Sequence, residues 1–126
     1  MATVSWKLDV AVAGGPGAAL AQSVAAEAYD KVTVEIADAA ADQAVEIGAA
    51  TGDVLFLLVT ASTYGDGLTY RVNDGGNPAH ALDRPLLLAG AGAIGLLGFS
   101  PTSLLFSNAL GANATVEILV ARDATP

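Results

Sequence analysis

Glycine spacing in the stretch "LLLAGAGAIGLLGF", residues 86–99, is the first feature of this chain that could do chemistry. Gly90, Gly92 and Gly95 have the G-x-G-x-x-G spacing that holds the pyrophosphate of a dinucleotide, and they follow an apolar run. Asp123, at the end of the later run "EILVARD", stands where a ribose-binding acid would lie. The pattern therefore offers a dinucleotide-binding enzyme as one hypothesis.

The residues after the motif argue against a bound cofactor. A dinucleotide site needs a helix whose N-terminal N–H groups face the phosphates. Only Leu96 and Leu97 precede Gly98, and Pro101 follows, so such a helix would end after about one turn. We therefore expect no cofactor. Instead, we expect the glycines of this stretch to let a sheet bend or approach another chain closely. They are Gly90, Gly92, Gly95 and Gly98.

The single histidine offers little catalytic chemistry. His80 lies in "NPAHALDR" with Asp83 and Arg84, so a His–Asp pair could act as a base for a hydroxyl nucleophile. No G-x-S-x-G turn is present, and Ser100 in "GFSPTS" lacks the glycines of that frame. We predict a solvated loop histidine, no catalytic residues and no enzyme activity.

Oxygen ligands make calcium a weak candidate. One histidine and no cysteine exclude an ordinary zinc site. Asp66 in "YGDG", and Asn73, Asp74 and Asn77 in "NDGGN", are oxygen donors in predicted loops, although neither stretch is an EF-hand loop. Asp and Asn are also what turns require. We predict that the protein has no metal site, and we keep a small carbohydrate- or calcium-binding β module as the alternative function.

Charge narrows the class of partner. Thirteen acidic residues against five basic ones give a net charge of −8. Nucleic-acid binding needs clustered Lys and Arg, and so does an anionic membrane surface, so we expect neither partner. Only 14% of the residues are charged, where about a quarter is usual for a globular chain, and such a surface favours contact with other subunits.

Alternation of apolar and polar residues is the main structural signal. It predicts strands in "VSWKLDVAV", with Trp6 in the core, and in "KVTVEIA", "AVEIG", "LTYRVN" and "ATVEILVARD". "DVLFLLVTAS" is apolar on both faces, as in a central strand. Asp66-Gly67 predicts a tight hairpin turn between "DVLFLLVTAS" and "LTYRVN".

These strands predict one all-β domain over residues 1–126, an antiparallel β-sandwich or jelly-roll-like barrel. The alanine-rich stretch 18–29 predicts one short helix, with a small-residue strand or extended arm as the alternative. The longest apolar run, 86–99, is shorter than the about 20 residues of a membrane span, and "MATVSWKLDV" lacks the apolar core of a signal peptide. We expect cytoplasmic synthesis.

In general appearance the chain resembles small bacteriophage structural proteins of the head-decoration or tail type. The resemblance rests on composition and on "SWKLDVAV", "KVTVEI" and "TVEILVARD", and no family motif carries a functional residue over. It implies a structural protein of a virion, whose partner is itself, as a trimer or larger homo-oligomer, or a capsid or tail lattice. An arm such as "AVAGGPGAALAQSVAAEA" could lie along a neighbouring subunit.

Overall fold

Antiparallel strands make up most of the computed structural model, which describes residues 2–47, 54–98 and 101–123. A four-residue helix, α1 (Ala91–Ile94), and a 3-10 turn (Gly95–Leu97) interrupt them. The strands in the described residues are β1 Ala2–Ala11, β2 Gly17–Ala26, β3 Ala28–Ile36, β4 Gln43–Glu46, β5 Val54–Ala61, β6 Gly65–Val72, β7 His80–Leu82, β8 Leu86–Ala89, β9 Ser103–Asn108 and β10 Ala114–Arg122.

Eight of these strands form two packed sheets. The first sheet has the order β3-β10-β5-β8, and the second has the order β4-β9-β6-β7. Every pair of neighbouring strands in these sheets is antiparallel. From β3 to β10 successive strands alternate between the two sheets, except that β6 and β7 are neighbours in the second sheet. This is the order of a jelly roll. The predicted all-β sandwich is confirmed.

The core lies between the two sheets because side chains alternate along each strand. In β10, Val116, Ile118 and Val120 face inward and are fully buried, while Glu117 between them is exposed. Inward residues of the other strands complete this core: Ile36, Val45, Leu57, Val59, Leu68, Val72, Leu82, Leu104 and Phe106.

The predicted hairpin between the fifth and sixth strands is wrong. β5 and β6 belong to different sheets, and residues 62–64 carry the chain from one sheet to the other. Asp66-Gly67 lies inside β6, where a Cβ on Gly67 would come within 3.0 Å of the Ala109 carbonyl carbon and oxygen. Gly67 therefore permits a close approach of two backbones, and the Asp-Gly pair makes no turn.

The predicted helix over residues 18–29 is also wrong. β2 pairs with β1 in unbroken register from Ala2↔Ala26 to Ala11↔Gly17, so the extended alternative is correct. The ladder of hydrogen bonds and cross-strand apolar pairs such as Leu8↔Leu20 outweigh the modest helix preference of alanine. We call the two-stranded ribbon of β1 and β2, residues 2–26, the arm.

No helix in the described part of the chain is long and apolar enough to cross a membrane.

Candidate functional site

The glycine-rich segment forms a strand end and one helical turn. Gly90 ends β8 with a φ of 92°, and its carbonyl accepts a hydrogen bond from the Ile94 N–H at 3.1 Å. The helix passes at Gly95 into the 3-10 turn, and Gly98 closes it with a φ of 81°. The helix therefore ends after about one turn, as expected, and is too short for a pyrophosphate site. Phe99 and Ser100 lie outside the described residues.

The expected roles of these glycines are only partly correct. Positive φ angles at Gly90 and Gly98 bend the chain, as predicted. A Cβ on Gly90, Gly92, Gly95 or Gly98 would meet no described atom of this chain within 4 Å, so none of these glycines is required by a close contact within the chain, and the close approach to another chain stays a prediction. Three of the four lie in or beside helical turns rather than in a bent sheet, because the chain leaves β8 at Gly90. Asp123, the residue suggested for a ribose contact, follows Arg122 in the chain. The guanidinium of Arg122 donates to the Asp30 carboxylate at 2.7 Å.

His80 lies on β7, exposed to solvent and opposite Tyr70 in the ladder. The two rings have centroids 5.4 Å apart. Burial raises the pKa of the Tyr70 hydroxyl above its ordinary value of 10.0. Arg84 donates from its guanidinium to the main-chain carbonyl of Asp83 at 2.7 Å. The aromatic neighbour of His80 is thus a tyrosine whose ionisation burial disfavours.

The calcium candidates are divided between the two ends of β6. Asp66 is the second residue of that strand, and Asn73, Asp74 and Asn77 follow its last residue. At about 3.3 Å per residue, the length of β6 separates the two groups by about 20 Å. The structure therefore does not bring Asp66 to the "NDGGN" loop.

Hydrogen bonds within the protein engage the side-chain oxygen of Asn73 and one side-chain oxygen of Asp74 in that loop. The side-chain oxygen of Asn73 accepts from the Thr102 N–H at 2.8 Å and the Ser103 N–H at 3.2 Å. Asp74 accepts from the Gly76 N–H at 3.1 Å. These bonds tie the loop to itself and to the start of β9. Within the described ranges, no three His, Asp or Glu side chains come together as a metal site.

The arm has one half that is packed against the first sheet. Near its base, Val4, Trp6 and Val24 pack against a cluster formed by Phe56 with Ala26 and Ala121. The rings of Trp6 and Phe56 have centroids 6.5 Å apart. Trp6 therefore lies over the outer face of the sandwich and only half-buried, not in the core that alternation predicted.

The same apolar face continues, uncovered, along the rest of the arm. Leu8 pairs with Leu20, and Val10 follows on the same face of β1, with Val12 in the turn beyond it. The exposed fractions are 40% for Leu8, 47% for Val10, 56% for Val12 and 42% for Leu20. We call these four residues the distal stripe. Alternation identified this face but could not show that its second half stays partly exposed among the described residues.

Charge is nearly absent from the arm. Lys7 and Asp9 are its only charged residues, in a chain with thirteen acidic and five basic residues. A two-stranded ribbon is at best marginally stable in water unless a hydrophobic face is covered. The distal stripe thus groups four partly exposed apolar side chains on a ribbon with little charge, and we take it as the candidate functional site.

Comparison with protein-family models, with curated proteins and with solved structures finds no match for this chain.

Proposed function

We propose that this protein is a structural subunit that assembles with copies of itself through the arm. The observation that carries the proposal is the distal stripe, an apolar surface on a ribbon with no sheet beneath it. Full burial of a Leu or Val side chain contributes about 1.5–3 kcal/mol. Since these four side chains are about half exposed, covering them would contribute about 4 kcal/mol per arm.

Other parts of the structure support assembly over ligand binding. The polar loop at Asn73 and Asp74 is held by its own hydrogen bonds, and the glycine segment offers a single helical turn. The arm, in contrast, extends an apolar face that the protein itself does not bury. A protein that works by association needs such a face, whereas a small-molecule site would need a concave pocket with converging polar groups.

The finer proposal is a component of a phage-like particle, as a trimer or larger. Jelly rolls occur among viral capsid domains, and this supports the proposal. They also occur among lectins and cupins, so the fold does not assign the function. The arm supports a particle more directly, because an arm that covers a neighbour links subunits into closed rings or lattices.

The experiment is the mass in solution, measured by light scattering on a sizing column. We expect a defined multimer of the wild-type 12.5 kDa chain. A double variant, Leu8→Asp with Leu20→Asp, places two charges in the distal stripe and should yield monomers. Ala21→Asp is the matched control, because it adds a charge to the opposite face of the arm and should leave the multimer intact.

A wild-type protein that stays monomeric at high concentration would contradict the proposal, and so would a multimer unaffected by the double variant. Electron microscopy of the wild-type multimer then tests the finer proposal. Closed rings or ordered sheets are expected of a particle component. Isolated dimers without further order would rule that component out and leave self-association standing.

A further inference from the structure

The outer faces of the two sheets differ in chemistry. On the second sheet, the outward residues are mainly polar or charged, with an ion pair of 3.3 Å between Arg71 and Asp42 and with Thr69 and Ser107 beside it. On the first sheet, leucines face outward from three adjacent strands. An apolar partner would therefore find its counterpart on the first sheet.

Those leucines form a continuous row. Leu119 of β10 is opposite Leu58 of β5, which is opposite Leu87 of β8. Each is only half-buried. On β3, Tyr29 lies opposite Ala121 at the end of the next row and is 60% exposed. We call Tyr29, Leu58, Leu87 and Leu119 the acceptor face.

A groove of about 310 Å³ crosses the acceptor face beside Leu58 and Leu119. Lys31 and Glu117 stand at its rim, 3.8 Å apart, so one charge of each sign compensates the other. The floor of the groove is left neutral on a chain whose net charge is −8. The face of the arm that carries the distal stripe has no charged side chain, since Lys7 and Asp9 lie on the opposite face, and it fits such a groove better than an acidic part of the surface does.

The arm already contacts this sheet within one chain. The row next to the leucines consists of Ala121, Phe56 and Ala89, and the base of the arm packs there through Trp6. The distal stripe is the continuation of the apolar face that makes this contact, and the leucine row is the continuation of the surface that receives it. Both surfaces are therefore apolar, and each is continuous with one side of the contact between Trp6 and Phe56.

We infer that the distal stripe of one copy packs on the acceptor face of the next copy. This inference rests on the proposed self-assembly and adds the surface that receives the arm. Because donor and acceptor surfaces differ, a head-to-tail series of such contacts forms a closed ring or an open filament, and exchange of arms between two copies forms a two-fold dimer. A standard interface takes about 20–30 residues a side, more than half an arm supplies, so one arm on one acceptor face should give a weak pair, and a multimer in which each subunit both donates and accepts should be tighter.

The test separates donor from acceptor. The donor variant carries Leu8→Asp and Leu20→Asp, and the acceptor variant carries Leu58→Lys and Leu119→Lys. Each should be monomeric by sedimentation velocity. An equimolar mixture, in which an intact arm meets an intact acceptor face, should form a 1:1 heterodimer of twice the 12.5 kDa subunit mass. Leu105→Lys, a half-buried outward leucine of the second sheet, is the matched control and should assemble like the wild type.

The outcomes distinguish the two proposals. If the wild type assembles and the donor variant does not, but the acceptor variant still assembles, the arm docks elsewhere and only the acceptor face is wrong. If the wild type is monomeric, self-assembly itself fails. Circular dichroism melts show whether each variant is folded. If the double lysine variant unfolds, Tyr29→Lys at the exposed edge of the acceptor face replaces it. This variant should also lose assembly, and its equimolar mixture with the donor variant should again form the 1:1 heterodimer.

Discussion

The rings of Trp6 and Phe56 lie with centroids 6.5 Å apart and planes tilted by 46°, and this contact joins the arm to the sandwich. Phe56 is buried on the outer face of a central strand, and Trp6 lies above it on β1. Two residue pairs farther along, on the same face of the arm, Leu8 and Leu20 are exposed. The aromatic contact therefore marks where the arm passes from a packed to an open environment.

Phe56→Ala should loosen the base of the arm. Removing a buried Phe costs about 3 kcal/mol or more and leaves Trp6 without its aromatic neighbour. Since Trp6 is the single tryptophan of the chain, its fluorescence reports on the base of the arm, and we expect a shift to longer wavelength. Leu105→Ala on the other sheet is the control. Unchanged emission in Phe56→Ala would show that the arm is held by other contacts.

Two glycines of the same motif should respond oppositely to alanine. Gly90 has a φ of 92° and a ψ of 154°, a backbone conformation that residues other than glycine rarely adopt. Gly90→Ala should therefore lower the free energy of unfolding by about 1–3 kcal/mol. Gly92 lies within α1 with open space at its Cβ, so Gly92→Ala should be neutral or stabilise by up to about 1 kcal/mol. Urea denaturation measures both. A Gly92→Ala variant as unstable as Gly90→Ala would contradict this account.

Asn108 should be the most sensitive polar residue of the core. It is 2% exposed, and its amide donates to the carbonyls of Ile36 and Ala112 at 3.1 and 2.8 Å. Its oxygen accepts from the Leu110 N–H at 2.9 Å. Asn108→Ala leaves these backbone groups unpaired and should cost about 3 kcal/mol in thermal or urea unfolding. Asn113→Ala, at an exposed asparagine with hydrogen bonds of its own, should cost about 1 kcal/mol.

Stability should fall at alkaline pH partly because of Tyr70. Burial raises its pKa in the folded protein above 10.0, so the unfolded chain releases this proton first. The folded state is therefore unaffected below pH 10 and loses stability as the pH rises through the folded pKa. Tyr70→Phe removes this ionisation. The melting temperature of Tyr70→Phe should decline less than that of the wild type between about pH 9 and pH 11. Parallel declines would assign the loss to other groups.

Local pattern was informative wherever one face of a strand meets the core. In β10, alternation through Val116, Ile118 and Val120 named both the strand and its buried face, because a period of two and burial on one side coincide there. It failed at β2, where alanines have no strong preference for a strand. Pairing with β1 over ten residues decided that conformation.

The candidate site shows the same division. Three of its four residues, Leu8, Val10 and Val12, share one apolar face by alternation in the sequence, whereas Leu20 lies in the stretch for which a helix was predicted. The sequence did not predict that these residues are exposed. Alternation shows which side chains share a face, but it does not show whether another layer covers that face.

The sequence by itself determined the class of fold, the positions of β1, β3, β4, β5, β6 and β10 and the low charge of the chain, since each follows from periodicity or composition. Only the tertiary structure decided that β5 and β6 lie in different sheets, that residues 17–26 are extended and that half of the arm is uncovered. Those features depend on contacts between residues far apart in the chain, such as Trp6 with Phe56, and no local pattern encodes which distant surface a strand meets.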